Sequence, residues 1–105
     1  MARHEFEVIF SPDARRQLLQ LRVFDQRRIA DTIRTQLVES DPRMESRNKF
    51  ALHPVSEFAD YELRAGNFRV LYRVEETEAE PRVIIAIIGR KVRNQLIVEG
   101  EEFEL

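Results

Sequence analysis

The chain has no cysteine and no tryptophan, only three glycines, and two histidines far apart, His4 and His53. Without cysteine there can be no disulfide, no thiolate metal site and no cysteine nucleophile. The glycines, Gly66, Gly89 and Gly100, form neither GxGxxG nor GxxxxGK[ST], which removes the usual phosphate-loop nucleotide sites. Two distant histidines carry no metal-ligand spacing, so no metal centre and no cofactor is expected. A nucleophile-elbow signature is also missing. No apolar run approaches the length of a membrane span or signal core, and Arg3, His4, Glu5 and Glu7 interrupt the start of the chain. The expectation is a cytoplasmic protein with no membrane partner.

What is present is charge. The 105 residues carry 17 Lys and Arg against 19 Asp and Glu, a net charge of −2, with 43% hydrophobic side chains. That length predicts a single domain, 1–105, burying about two thirds of its unfolded surface. The acids are unevenly spread: Glu75, Glu76, Glu78 and Glu80 fill one loop, and Glu99, Glu101, Glu102 and Glu104 fill the C-terminal tail, 99–105. Set those eight aside and eleven acids face seventeen bases, so the body of the molecule is basic. Fifteen of the seventeen are arginine, a bias that suits phosphate or carboxylate recognition and that a GC-rich genome would equally produce.

The stretch Tyr61–Val74 reads as a β-hairpin, with Gly66-Asn67 as a two-residue turn. Ala65 then pairs with Phe68, Arg64 with Arg69, Leu63 with Val70, Glu62 with Leu71 and Tyr61 with Tyr72. Alternation puts Tyr61, Leu63, Ala65, Phe68, Val70, Tyr72 and Val74 on an apolar face and Glu62, Arg64, Arg69, Leu71 and Arg73 on the other. Opposed like charges cost stability, so Arg64 and Arg69 require a bound anion or a carboxylate neighbour, with Glu62 the nearest. Two readings stand: a surface salt-bridge cluster of Glu62, Arg64, Arg69 and Arg73, or a phosphate site built from guanidinium groups.

Before the hairpin, His4–Phe10 alternates as a first strand, at an edge of the sheet. Ser11-Pro12-Asp13 supplies a cap, an N1 proline and a first-turn acid for a helix running to Leu21 or Arg22, with Ala14, Leu18 and Leu21 inward. A second helix is expected from Asp25, as its cap, to Glu39, burying Ile29, Ile33 and Leu37, antiparallel to the first. Its outward arginines, with those of the first helix (Arg15, Arg16, Arg22, Arg27, Arg28 and Arg34), are either a nucleic-acid surface or a solvated face. Ser40-Asp41-Pro42 ends it. Residues 42–58 read as a long irregular connection from which Lys49 or His53 reaches a ligand or simply meets solvent.

After the acidic loop, Pro81–Ile88 is apolar on both faces and belongs in the middle of a sheet. Gly89-Arg90-Lys91-Val92-Arg93-Asn94 then places a basic cluster at the end of the most rigid strand. Residues 95–99 form a short further strand, and 100–105 a tail. The predicted fold is α+β: an N-terminal strand, an antiparallel helical hairpin, then a three-to-four-stranded, mainly antiparallel sheet with the helices on one face.

The element order, the hairpin Tyr61–Tyr72 and the strand closing on Gly89-Arg90-Lys91 resemble the RelE/ParE superfamily of bacterial type II toxin–antitoxin modules, over roughly Phe6 to Phe103. The resemblance implies a RelE/ParE-like fold, an antitoxin partner and a part in plasmid stabilisation. For the RelE kind it implies metal-independent, ribosome-associated cleavage of mRNA, in which the 2′-hydroxyl attacks the adjacent phosphate. Carried over by position, Arg69 contacts the scissile phosphate, Arg64 assists from the preceding strand, and Lys91 stabilises the developing charge. Arg73, Arg90, Arg93, Lys49 and His53 complete the RNA-binding set. Two departures stand out: Glu62 occupies a place usually held by lysine, and Ile97 the place of the usual proton-transferring aromatic or histidine. Either Glu62 or His53 substitutes, or activity is weak, or the chain follows the ParE branch, which acts on DNA gyrase without catalysis, or it is an inactive interaction module.

Overall fold

Ser11 starts the first helix and ties it to the sheet at once. Its Oγ accepts from Ala14 N (3.0 Å) as the N-cap and donates to Ala86 O (2.9 Å). The computed structural model describes residues 6–77 and 80–104. Arg3, His4 and Glu5 at the chain's start, Glu78 of the acidic loop and Leu105 of the tail lie outside the described residues. The elements run β1 (Glu7–Phe10), α1 (Pro12–Leu19), α2 (Val23–Ile33), β2 (Lys49–Ala51), β3 (Tyr61–Ala65), β4 (Phe68–Glu75), β5 (Arg82–Val92), β6 (Gln95–Val98) and β7 (Glu101–Glu102).

The sheet has seven strands in the order β2-β3-β4-β5-β6-β7, with β1 pairing β5 in parallel and every other pair antiparallel. It is wider than the expected three to four strands, because two very short strands extend its edges. The long strand β5 is paired by β4 on one side; on the other, β1 accompanies Arg82–Ile85 and β6 accompanies Arg90–Val92. The gap between β1 and β6 is filled from α1: buried Gln17 accepts from Ile88 N at 2.8 Å. That satisfies a backbone donor which would otherwise cost about 1–3 kcal/mol to leave buried and unpaired.

The helices α1 and α2 cover one face. Ala14, Ile29, Ile33 and Leu37 pack against Leu63, Ala65, Phe68, Val70, Tyr72, Val83, Ile85 and Ile88. Asp25 does not cap α2. The helix begins two residues earlier, behind Arg22, and Asp25 is buried in its first turn, paired to Arg22 Nε at 3.1 Å. The stretch expected to finish that helix, Arg34–Val38, is a wider turn closed by Glu39 N donating to Arg34 O (2.9 Å), an i→i+5 bond that still buries Leu37.

The opposite face carries a second, smaller core of Ala59, Leu71, Ile87 and Val98, with Leu52, Ala86, Leu96 and Phe103 packed on it. A bulge makes it: Leu71 pairs with Ile87 but Tyr72 pairs with Ile85, so Ala86 and Ile87 both turn to this side. Leu71, expected among polar neighbours, is therefore fully buried. The supposed tail closes the same core, with β7 pairing β6, Phe103 N donating to Leu96 O (2.8 Å) and the Phe103 ring edge-on to Phe58 at 5.3 Å. Among the described residues no helix is long and apolar enough to cross a membrane.

Candidate functional site

The five expected pairs of the β3–β4 hairpin are all present, Arg64 directly opposite Arg69 among them. Gly66 has φ +61°, while Asn67 is not in the left-handed region, as in a turn with glycine at its first central position. Arg69 in turn faces Gly89 on β5. A side chain is excluded at Gly89, where a Cβ would lie 2.7 Å from Ile97 O and 2.9 Å from Val98 Cγ2. Two residues along β5, Lys91 shares the face of Gly89 and Ile87, and its backbone N donates to Asn67 O (2.7 Å), binding the strand's end to the hairpin turn. The register thus places Arg64, Arg69 and Lys91 on one face at one end of a sheet whose centre cannot shift.

Between the two arginines stands Glu62. Its Oε2 is 3.5 Å from Arg69 Nε and 4.0 Å from Arg64 Nε, which offsets the repulsion that the opposed guanidiniums would suffer alone. The environments differ: the side chains of Glu62 and Arg69 are 14% and 13% exposed, that of Arg64 47%. Arg64 lies over the Phe50 ring, its Cζ 5.1 Å from the centroid. Arg69 turns back on its own hairpin, Nη1 donating to Gly66 O (2.8 Å) and Phe68 O (2.9 Å). Its Nε is buried and makes no hydrogen bond, so the contact with Glu62 is ionic only and one donor is unused. The salt-bridge cluster expected from the sequence is present for Glu62, Arg64 and Arg69, and of its two arginines Arg64 is the one open to solvent.

The other expected site residues are not gathered here. Arg73 shares the face but stands four residues up β4, roughly 13 Å away at strand rise. Arg90 points to the helix face, its guanidinium 5.2 Å from the centroid of Phe68. Arg93 is exposed in the β5–β6 turn with φ +57°. His53 lies in the loop after β2, beside Arg43 and Tyr61, the residue that begins β3 at the end away from Arg64. Ile97 pairs with Arg90. Lys49 is corrected outright: it is 2% exposed on the helix face, opposite Leu63, and its Nζ donates to Gln36 O (2.7 Å) and Asp41 O (2.9 Å). Burial lowers its pKa, with Asp41 opposing the shift, and no ligand reaches it. Among the described residues, no group of three or more His, Asp or Glu side chains is placed to hold a metal ion.

One cation reaches this region without notice from the sequence. Arg28 of α2 lies against Gly66, where a Cβ would come within 2.5 Å of Nη2. It is separated from the turn by 38 residues, and its helical position shows only an outward arginine, so no local pattern announces the contact.

No protein-family model matches the chain, and no curated protein matches it significantly. Among solved structures, a chain of the toxin–antitoxin complex RelBE2 from Mycobacterium tuberculosis superposes with TM-score 0.64 and 22% identity, over 83% of this chain and 99% of that one. The α+β architecture expected from the sequence is the one found, and the chain shares its fold with the matched chain of that complex.

Proposed function

We propose that the chain is the toxin of a toxin–antitoxin pair and cleaves RNA through the Glu62, Arg64, Arg69 and Lys91 face. The observation that carries this reading is the register that sets Arg64 opposite Arg69 with Glu62 between them, Lys91 standing on the same face. The solved toxin–antitoxin complex of the same fold supports the toxin role and an antitoxin partner.

A phosphodiester entering this face replaces Glu62 as the arginines' counter-ion. Arg69 and Arg64 hold the non-bridging oxygens in charge-assisted hydrogen bonds. The freed Glu62 takes the proton of the 2′-hydroxyl as its oxygen attacks phosphorus. The bond to the 5′-oxygen breaks, that oxygen takes a proton from the Lys91 ammonium as it leaves, and the products are a 2′,3′-cyclic phosphate and a 5′-hydroxyl. The added charge of the pentavalent state is met by fixed cations on a rigid sheet.

Cleavage of mRNA on programmed ribosomes tests this. Arg69→Ala should lose about a hundredfold or more in rate, the usual consequence of removing one charge-stabilising group. Absence of cutting by the intact chain would overturn the reading. Ile97, where a proton-transferring side chain would be expected, favours a second reading: a DNA gyrase inhibitor without catalysis. On that reading the ribosome assay is silent, while DNA supercoiling is inhibited and Arg69→Ala still inhibits.

A further inference from the structure

On the helix side of the same hairpin turn is a pocket of about 320 Å³, lined by Arg22, Phe24, Asp25 and Arg28 from the helices and by Asn67 and Arg90 from the sheet. Its charges are not balanced. Asp25 is paired to Arg22, and among the described residues no carboxylate lies within ion-pair distance of Arg28 or Arg90. Arg28 is seated on Gly66, and Arg90 lies over the Phe68 ring. Phe24, which also lines the pocket, is 69% exposed.

Planar, permanently charged donors beside an open aromatic ring are what a nucleotide of single-stranded RNA requires: guanidiniums for its phosphate and a ring for its base. An acidic peptide would use the charges but has no need of an exposed ring face. The pocket and the proposed cleavage face lie on opposite faces of the sheet and both border the hairpin turn. Arg28 lies on one side of Gly66, and Arg69 Nη1 donates to Gly66 O on the other, so only the thickness of the turn separates the two cationic groups.

We infer that this pocket binds a nucleotide next to the one held by Arg69, its phosphate on Arg28 and Arg90 and its base stacked on Phe24. The strand of RNA then crosses the hairpin turn, gripped from both faces of the sheet. This rests on the RNA reading above.

Equilibrium binding of a fluorescent single-stranded RNA hexanucleotide, followed by anisotropy between 50 and 200 mM salt, tests it. Arg28→Ala and Arg28→Gln should each weaken binding about tenfold. Each should also lower the slope of log affinity against log salt by about 0.7, the loss of one phosphate contact on a single strand. Phe24→Ala should weaken binding at least fivefold and leave the slope unchanged, and Phe24→Trp should restore the affinity. Arg28 and Phe24 are both exposed, and thermal unfolding checks that the variants remain folded. If the Arg28 and Phe24 variants bind as the parent does while Arg69→Ala binds weakly, the pocket is not a nucleotide site although the cleavage face stands. If Arg69→Ala is also unaffected, both fall. Unchanged RNA affinity combined with lost grip on a co-expressed antitoxin would make the pocket a protein dock and overturn the nucleotide assignment.

Discussion

Lys49 shows how a single residue can be turned from ligand holder to structural part by its surroundings. Its ammonium donates to Gln36 O, in the last turn of the helical stretch, and to Asp41 O just beyond it, which also accepts from Met44 N. Lys49→Met would leave both without that donor and should destabilise the fold by about 1–3 kcal/mol at pH 7, read from denaturant midpoints. The charge itself is a burden, because burial holds the folded pKa below the ordinary 10.5. Between the folded and the unfolded value the unfolded chain binds more protons, so stability rises with pH across that window. The neutral amine keeps two N–H donors, enough for both carbonyls. The parent protein's midpoint should therefore climb as pH rises toward 10.5, relative to that of Lys49→Met; parallel profiles would show that the lysine is not buried as charge. Nothing in Arg-Asn-Lys-Phe reveals this role, since the two acceptors come from distant backbone.

Among the elements, those with a strong local signal were legible: the alternating hairpin about Gly66, the Ser11-Pro12-Asp13 helix start, and the 3.6-residue spacing of Ile29, Ile33 and Leu37. Strands of three and two residues, such as β2 and β7, have no period to read, and the bulge at Ala86 shifts an otherwise apolar run without altering its composition. The second core was hidden for that reason. The acids around Phe103 made residues 99–105 look like a solvated tail, while its ring packs on Phe58 and helps to close over Leu71 and Ile87. Phe103→Ala should accordingly cost about 1–2 kcal/mol, the value for a half-buried ring, measured as a lower urea midpoint. Amide exchange along Leu96–Val98 should quicken with it. An unchanged midpoint would mean that the β6–β7 hairpin adds nothing to the fold.

For the molecule as a whole, the net charge of −2 is a poor guide to what it attracts. The end of the sheet bearing the β3–β4 and β5–β6 turns collects Arg28, Arg64, Arg69, Arg90, Lys91 and Arg93, and among the described residues Glu62 is the one carboxylate within ion-pair reach of them. At the other end, acids of the β4–β5 loop are neutralised in place, Glu75 by Arg82 at 2.7 Å and Glu76 by Arg43. The molecule extends 42 Å along its longest axis, several times the screening length of about 8 Å at physiological salt, so an approaching polyanion is governed by the end it meets. Association with single-stranded RNA, followed by stopped flow, should slow as salt is added, although two net-negative partners would be expected to associate faster. The paired substitutions Lys91→Glu and Arg93→Glu should reduce the rate more than tenfold at 0.05 M salt. Glu75→Gln with Glu76→Gln makes the net charge more positive by two, yet at 0.15 M it should alter the rate less than twofold. A rate that follows net charge across these variants, or that rises with salt, would show that the basic end does not steer the encounter.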